Sequence, residues 1–390
     1  MIDFDFRNPT RIVFGKETEN KAGELAKEYG FSKTLVLLGG GSARRSGLLD
    51  KVAGSLKKEG IQFFIKEGVR PNPDAQTVRD FIGFSRENGI DSILAIGGGS
   101  VIDTAKAVGA GFYYEGDFFD FNLHKATPKK CLPIGIVLTI SSAGSESSNS
   151  CVIQDDEKKI KQGFNCDLVR PVFAIENPEL TYSVPAYQTF AGVSDIMMHS
   201  LERYHNASGP NELADEWALS LILSTMEAAK TLLRNPNDYE ARARIMLNSS
   251  LTHDGLTSLG KTSVFVVHPL EHALSGYDQK ITHGAGVALL YPAWATYVYK
   301  KDVGKFAKLT EYLFKEKGAT DEETAIMGIR LMKEFFSSLG MPTSFKEVGL
   351  GEKDIPALVS IATGNGTRTV GRYPQPLTEQ DVEAIYRLLL

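Results

Sequence analysis

Cysteine is scarce: Cys131, Cys151 and Cys166 are the only 3 among 390 residues. Their number is odd and no two stand in a CxxC spacing. They read as buried thiols of a reducing compartment, not as a disulfide frame or a zinc site. Basic runs are also missing, and the net charge is −5 with a pI near 5.9. No nucleic-acid partner and no anionic membrane is expected of such a surface. Long hydrophobic runs are absent: residues 92–96 and 134–140 are among the longest apolar stretches, too short to span a bilayer. The opening Met1-Ile2-Asp3-Phe4-Asp5 is acidic and lacks an apolar signal core, so a cytoplasmic location is expected. Internal repeats and low-complexity segments are missing as well.

What is present is a globular composition, 42% hydrophobic and 23% charged, on a chain longer than one ordinary core. Two domains are therefore expected, and the texture changes near the middle of the chain. Up to about Pro185, short β-branched runs at 34–38, 61–65, 92–96 and 134–138 alternate with helical patterns at 47–59, 74–88 and 101–110. That alternation predicts a parallel sheet covered on both faces. After Pro185 the strand signals stop, and 213–233, 239–256, 303–317, 321–339 and 379–390 carry helical spacing. The expected fold is an α/β N-terminal domain over 1–183 and an all-helical domain over 184–390.

Two glycine runs mark the first half. Gly97-Gly98-Gly99-Ser100 sits where an apolar strand turns into a helix, and Gly39-Gly40-Gly41-Ser42 ends an earlier strand. Without Cβ atoms the backbone can approach a pyrophosphate, and a helix N-terminus presents N–H groups and a positive dipole end. Ser100 can cap the helix, donate to a phosphate oxygen, or both. The pattern is not GxGxxG, so the usual Rossmann fingerprint does not apply. Both runs are expected at the carboxyl edge of the sheet, where two such turns can hold the two ends of a dinucleotide.

The second half concentrates metal-binding side chains. Asp195 and His199 are four residues apart with Glu202 three further on, His268 and His272 are again four apart, and His283 precedes Gly284. An i, i+4 pair lies on one helix face and can grip one ion. Taken singly, each residue reads as a core or capping side chain. As a set, carboxylate and imidazole suit iron(II) or zinc better than magnesium or copper(I).

The order of these motifs is specific. Gly97-Gly98-Gly99-Ser100-Val101-Ile102-Asp103-Thr104-Ala105-Lys106 is followed by Gly144-Ser145-Glu146, then Gly192-Val193-Ser194-Asp195 with His199 and Glu202, then His268, His272 and His283-Gly284. The chain resembles the iron-containing alcohol dehydrogenase family over nearly its whole length, particularly its butanol dehydrogenase and aldehyde reductase branch. The resemblance implies a dinucleotide-binding α/β domain followed by an all-helical metal domain, with Asp195, His199, His268 and His283 as ligands of Fe2+ or Zn2+. His272 matches a non-ligand position near the nicotinamide and is the expected proton relay. Gly97, Gly98, Gly99 and Ser100 are expected on the pyrophosphate, with Asp103 in the same motif. Asn72, Thr139 and Lys161 are expected on the ribose and nicotinamide. The family commonly has Thr just before Gly-Ser-Glu. This chain has Ala143, with Ser142 beside it as the substitute hydroxyl.

The implied activity is NAD(P)-linked interconversion of short-chain primary alcohols, such as butanol, and aldehydes. A glycerol or polyol dehydrogenase and a dehydroquinate-synthase-like lyase are the alternatives that share the fold, and a nucleotide-sensing module is the non-catalytic one. NADP(H) is expected over NAD(H), because no acidic residue lies between Leu38 and Arg45 and Gly39, Gly40, Gly41 and Ser42 offer a phosphate their N–H groups and hydroxyl. Met197, Met198, Phe265 and Val266 lean toward a short aliphatic substrate. The resemblance also implies a homodimer joined edge to edge through the N-terminal strands, and the β-rich residues 11–14 can supply that edge. His124, His205 and His253 read as structural or exposed.

Overall fold

Parallel strands buried on both faces are apolar over nearly their whole length, and residues 34–38, 92–97 and 134–138 meet that demand. The computed structural model describes residues 1–205 and 207–390. In chain order the first half contains β1 (Arg11–Phe14), α1 (Ala22–Glu28), β2 (Lys33–Leu38), α2 (Ser42–Arg45), α3 (Leu48–Lys58), β3 (Gln62–Lys66) and α4 (Ala75–Glu87). It continues with β4 (Ser92–Gly97), α5 (Gly99–Gly111), α6 (Phe119–Asn122), β5 (Ile134–Leu138), β6 (Ser150–Asp155), β7 (Ile160–Asn165) and β8 (Phe173–Glu176). The second half holds α7 (Ala186–His205), β9 (Ala207–Ser208), α8 (Glu212–Arg234), α9 (Tyr239–Thr252), β10 (Thr262–Ser263), α10 (Val267–Tyr277) and α11 (His283–Val298). Helices α12 (Val303–Phe314), α13 (Asp321–Ser338), α14 (Ile355–Thr363) and α15 (Glu379–Arg387) complete it.

Among the described residues, contacts divide the chain into two units. One comprises residues 7–184 with 237–250, and the other residues 1–6, 185–236 and 251–390. One division between the units falls between Val184 and Pro185, and the N-terminal six residues and most of α9 group across it.

The first unit is built on a parallel sheet in the order β1-β8-β5-β4-β2-β3. The chain leaves β2 for β3 on one side and returns to β4 on the other, so its winding reverses between β2 and β4. Leu38 at the end of β2 lies opposite Ile96 near the end of β4. Both glycine runs therefore emerge side by side at a topological switch point, the place where open α/β sheets bind ligands. Helices cover both faces: one buried cluster joins Leu35, Ile93, Ile136 and Val108, and another joins Val36, Leu94, Val137 and Val52.

Three strands of the first half escape the sequence reading. β8 has only four residues and ends on Glu176, while β6 and β7 form a separate antiparallel hairpin in which Lys161, Gln162 and Gly163 weaken any alternation. The second unit is also not wholly helical, because β9 and β10 pair antiparallel over two residues each. Several expected helices end early for local reasons. The one expected to reach 256 stops at Thr252, before Gly255 with φ +113°, and the one expected to reach 317 stops at Phe314, before Lys315 with φ +59°. Caps fix other ends. Asp74 accepts from Thr77 N over 2.9 Å to start α4, and Thr378 with Asp381 forms a capping box on α15. Of the three cysteines, all free, only Cys151 is fully buried; Cys131 and Cys166 are half-buried, unlike the expectation. No helix among the described residues is long and apolar enough to cross a membrane.

One close approach positions the second unit's site. The first turn of α11 crosses α7 so tightly that a Cβ on Gly284 would lie 1.9 Å from the Ala191 carbonyl oxygen. Backbone cannot yield as a flexible side chain does, so the helices would have to separate. Gly284→Ala is expected to destabilise the protein by about 1–3 kcal/mol or more. Gly304→Ala, at an exposed position on α12 with nothing within 4 Å, is expected to leave the melting temperature unchanged or raise it. Thermal melts of the two variants check this; equal melting temperatures would contradict the close-crossing argument.

Candidate functional site

Helix α7 is buried from Thr189 to His205, and Asp195 and His199 share one of its faces. His199 Nδ1 lies 2.9 Å from the Asp195 carbonyl oxygen and 3.2 Å from Asp195 Oδ1. Helix α10 brings His268, and α11 begins with His283. His268 Nε2 lies 3.5 Å and His283 Nε2 3.7 Å from that same Asp195 Oδ1. Three imidazoles thus surround one carboxylate oxygen, in a site where Asp195, His199 and His268 are buried and His283 is 24% exposed.

Two further carboxylates set the rings. Glu202, two turns along α7 from Asp195, binds His268 Nδ1. It also accepts from Val267 N over 2.6 Å, from His268 N over 3.3 Å and from Val266 N. It therefore caps the start of α10 and fixes the ring that α10 carries. Glu271, one turn beyond His268, does the same for the His283 Nδ1 atom. In each pair the carboxylate takes Nδ1–H and turns Nε2 toward Asp195, as in metal-ligating histidines.

Electrostatics follow from this packing. Burial and the neighbouring His268 bring His199 down to about 4, so its ring is neutral. Burial acts to lower His268 too, but Glu202 and Asp195 outweigh it and hold the ring at about 9. Burial alone would raise Asp195, yet the surrounding histidines hold it well below the usual carboxylate range. His268 Nε2 is nevertheless buried without a hydrogen-bond partner. Leaving such an atom unsatisfied is costly, and a divalent ion among these groups would satisfy it. The candidate ligand atoms of Asp195, His199 and His268 lie within 4.8 Å of one another. One carboxylate with imidazoles is a donor set that iron(II) or zinc accepts, so the residues fit a metal ion.

The surroundings correct parts of the sequence reading. His253, read there as having no company, packs edge-on to His199 with ring centroids 4.4 Å apart, and its Nδ1 lies 3.0 Å from Arg203 Nη2. Glu271 was not singled out at all, although it stands three residues after His268; its signal was that spacing. Of the four apolar residues taken to lean toward substrate, Met197, Met198 and Val266 are fully buried core. Only Phe265 faces the cluster, stacked on His268 with centroids 4.8 Å apart. His272 stands 5.5 Å from His283 and 6.4 Å from His268, ring to ring. His205 is buried and stacked on Phe306, a structural histidine, and His124 is exposed.

In the first unit, the candidate dinucleotide residues split into two groups. The glycine runs line the sheet edge. A Cβ on Gly97 would meet Val101 Cγ2 at 2.5 Å and one on Gly98 would meet Ile140 Cγ2 at 2.0 Å, so both glycines are demanded by packing. Gly99 and Gly40 face open space, with nothing within 4 Å of an added Cβ. That opening lets a ligand approach the backbone at the start of the 13-residue helix α5. Ser100 does not cap α5: the capping position is Gly98, with no side-chain bond, and Ser100 lies within the first turn. Gly41, with φ +83°, and Ser42 begin α2. Thr139 follows β5 beside Gly97, donating to its oxygen over 3.0 Å. Asn72, with φ +52°, accepts from Lys161 Nζ over 3.1 Å, so these two meet as a pair.

The second group acts as support. Asp103 accepts from Ser145 Oγ over 2.6 Å and Val152 N over 3.0 Å, and the Ser142 backbone is tied to Ser249 Oγ over 3.2 Å. Lys106, not singled out from the sequence, is fully buried. It donates to Ser145 Oγ over 2.9 Å, Ser148 O over 2.9 Å and Ser150 O over 2.8 Å. Burial lowers its affinity for the proton. Its signal was a lysine in the apolar, alanine-rich stretch of α5, and its effect is to hold the segment after β5 in shape.

The chain is similar to known proteins over nearly its whole length. A family model described as iron-containing alcohol dehydrogenase matches residues 9–178, and one for the C-terminal part of the Fe-containing alcohol dehydrogenase family matches 189–390. The NADH-dependent butanol dehydrogenase A of Clostridium acetobutylicum is 38% identical over 389 residues, 99% of each chain. An NADPH-dependent aldehyde reductase of Escherichia coli is 32% identical over 378 residues, 95% of each chain. The crystal structure of NADH-dependent butanol dehydrogenase A from Thermotoga maritima superposes with a TM-score of 0.96 at 36% identity, covering 100% of this chain and 99% of that one. With both halves matched and full-length relatives above 30% identity, the chain belongs to the iron-containing alcohol dehydrogenase family.

Proposed function

We propose that this protein is a metal-dependent, nicotinamide-linked oxidoreductase interconverting short-chain primary alcohols and aldehydes. The observation that carries the reading is the buried Nε2 of His268, without a hydrogen-bond partner and facing Asp195 beside His199 and His283. The full-length butanol dehydrogenase and aldehyde reductase relatives support it. Four candidate ligands weigh against the polyol dehydrogenase alternative. When bound, iron(II) or zinc supplies Lewis acidity at the substrate oxygen and NAD(H) or NADP(H) supplies the hydride acceptor or donor.

The chain's own residues do the rest. Asp195, His199, His268 and His283 would hold the ion. Glu202 and Glu271 accept from Nδ1 of His268 and His283, so that Nε2 is the nitrogen each ring offers to the ion, which would take the place of any proton there. Phe265, stacked on His268, presents an apolar surface suited to an aliphatic chain. His272, half-buried beside His283, exchanges the alcohol proton with solvent through its imidazole. In the other unit, Gly97 to Ser100 receive the pyrophosphate, with Gly39 to Ser42, Asn72, Thr139 and Lys161 toward the two ends of the dinucleotide. Asp103, Ser142 and Lys106 hold the segment after β5.

We further propose a cytoplasmic homodimer, the location resting on three free cysteines and the assembly on β1, an edge strand of the sheet with Phe14 39% exposed. Light scattering giving the 42.7 kDa monomer mass would contradict the dimer.

Reduction of butyraldehyde by reduced dinucleotide should disappear with the metal on chelation and return on adding iron(II) or zinc. Glu202→Gln should need about 10–100-fold more metal for half-restoration. Turnover that survives complete chelation would sink the metal-dependent reading, and a wild-type metal requirement in Glu202→Gln would remove Glu202 from it.

A further inference from the structure

An acid does stand beside the first glycine turn, although it comes from another strand. β2 and β3 are parallel neighbours with Leu37 opposite Lys66, so Glu67 emerges next to the turn from Gly39 to Ser42. The loop stays there, because Gly68 N donates to Gly39 O over 3.3 Å and Val69 N to Leu38 O over 3.2 Å. Arg44, on the short helix α2, closes on the acid: its Nε donates to Glu67 Oε1 over 2.9 Å, and its Nη2 donates to the same oxygen. The Arg44 and Glu67 side chains remain 55% and 38% exposed, so a molecule at the turn can reach either. Arg45, the other cation, points back to Gly40 O at 3.4 Å.

We propose that Glu67 and Arg44 are the pair that determines specificity at the 2′ position of the adenosine ribose, with Glu67 selecting against a 2′-phosphate. The proposal rests on the nicotinamide-linked reading above. The argument is one of position. The crevice between β2 and β4 receives the dinucleotide, and the start of α5, a far longer helix than α2, takes the pyrophosphate. One end of the molecule then runs over β2 toward β3. In doubly wound sheets a carboxylate some way beyond the glycine turn binds the ribose 2′-hydroxyl, and Glu67 at the end of the neighbouring strand occupies that place here. A carboxylate accepts a hydroxyl proton but repels a phosphate. While paired, it also neutralises the guanidinium that a phosphate would otherwise engage. The expectation of NADP(H) rested on the lack of an acid between Leu38 and Arg45; Glu67 shifts that balance toward NADH. Because exposed ion pairs add little stability, removing the carboxylate should free Arg44 without harming the fold.

The test compares wild type, Glu67→Gln and Glu67→Gln/Arg44→Leu. It measures dissociation constants of NADH and NADPH by fluorescence, and kcat/KM for both with butyraldehyde on metal-loaded protein. Wild type is expected to favour NADH. Glu67→Gln should move both ratios toward NADPH by about tenfold or more, given the size of a charge interaction at such range, and adding Arg44→Leu should reverse most of that gain. A wild type that favours NADPH, or a ratio unmoved by Glu67→Gln while both cofactors still bind, would overturn the pair's role. Wild type that binds neither dinucleotide would overturn the nicotinamide-linked reading and this proposal with it.

Discussion

A single buried carboxylate, Glu202, organises the cluster of Asp195 and its three histidines. Glu202 accepts from the backbone N–H groups that open α10 and from the His268 ring at the same time. The start of a helix needs acceptors, and a metal-ligating histidine needs its distal nitrogen held. One side chain meets both needs, so the position of α10 and the direction of His268 Nε2 are fixed together. Glu271 extends the arrangement to His283, and Gly284 lets α11 approach α7 closely enough for that ring to reach Asp195. Removing any of these would displace a ring without altering Asp195, His199, His268 or His283 themselves.

The dinucleotide edge depends on a constraint of another kind. Two glycine runs distant in sequence become neighbours because β2 and β4 are adjacent in the sheet while β3 lies outside them. Winding reversal opens a crevice at their carboxyl ends, and glycines permit both the tight strand-to-helix packing at Gly97 and Gly98 and the open approach at Gly99 and Gly40. Behind the crevice, the buried Lys106 and the half-buried Asp103 direct their hydrogen bonds to the segment after β5. Two buried acids, Glu146 and Glu176, both hydrogen-bond to Ser250 Oγ and tie the end of α9 to the same unit.

How far this was legible in the sequence depends on the range of the interactions involved. Strands β2, β4 and β5 were readable to within about a residue because burial on both faces forces continuous apolar runs. Strand β8 was not, since four residues ending in a glutamate carry too little pattern. The Asp195–His199 pair was visible from helical spacing, as was the wider histidine set, but joining the set to one ion required the resemblance or the fold. Glu271 and Lys106 stood inside motifs already quoted and were overlooked because their partners, His283 and Ser148, lie far along the chain. His253 gave no local signal whatever. Its place against His199 comes from the tertiary path of the chain after α9, which no spacing encodes. Glu67 shows the same limit at the sheet edge: it arrives from the end of the adjacent strand, and no pattern along the chain relates it to the glycine turn.

The proposed activity turns on Asp195, His199, His268 and His283 holding one divalent ion. Anomalous scattering at the zinc edge, from crystals of zinc-loaded protein, tests it most directly. The account predicts one strong peak at about 2.0–2.2 Å from the Asp195 carboxylate and from all three rings. A peak elsewhere, or none among these four side chains in protein that reduces aldehydes, would contradict it.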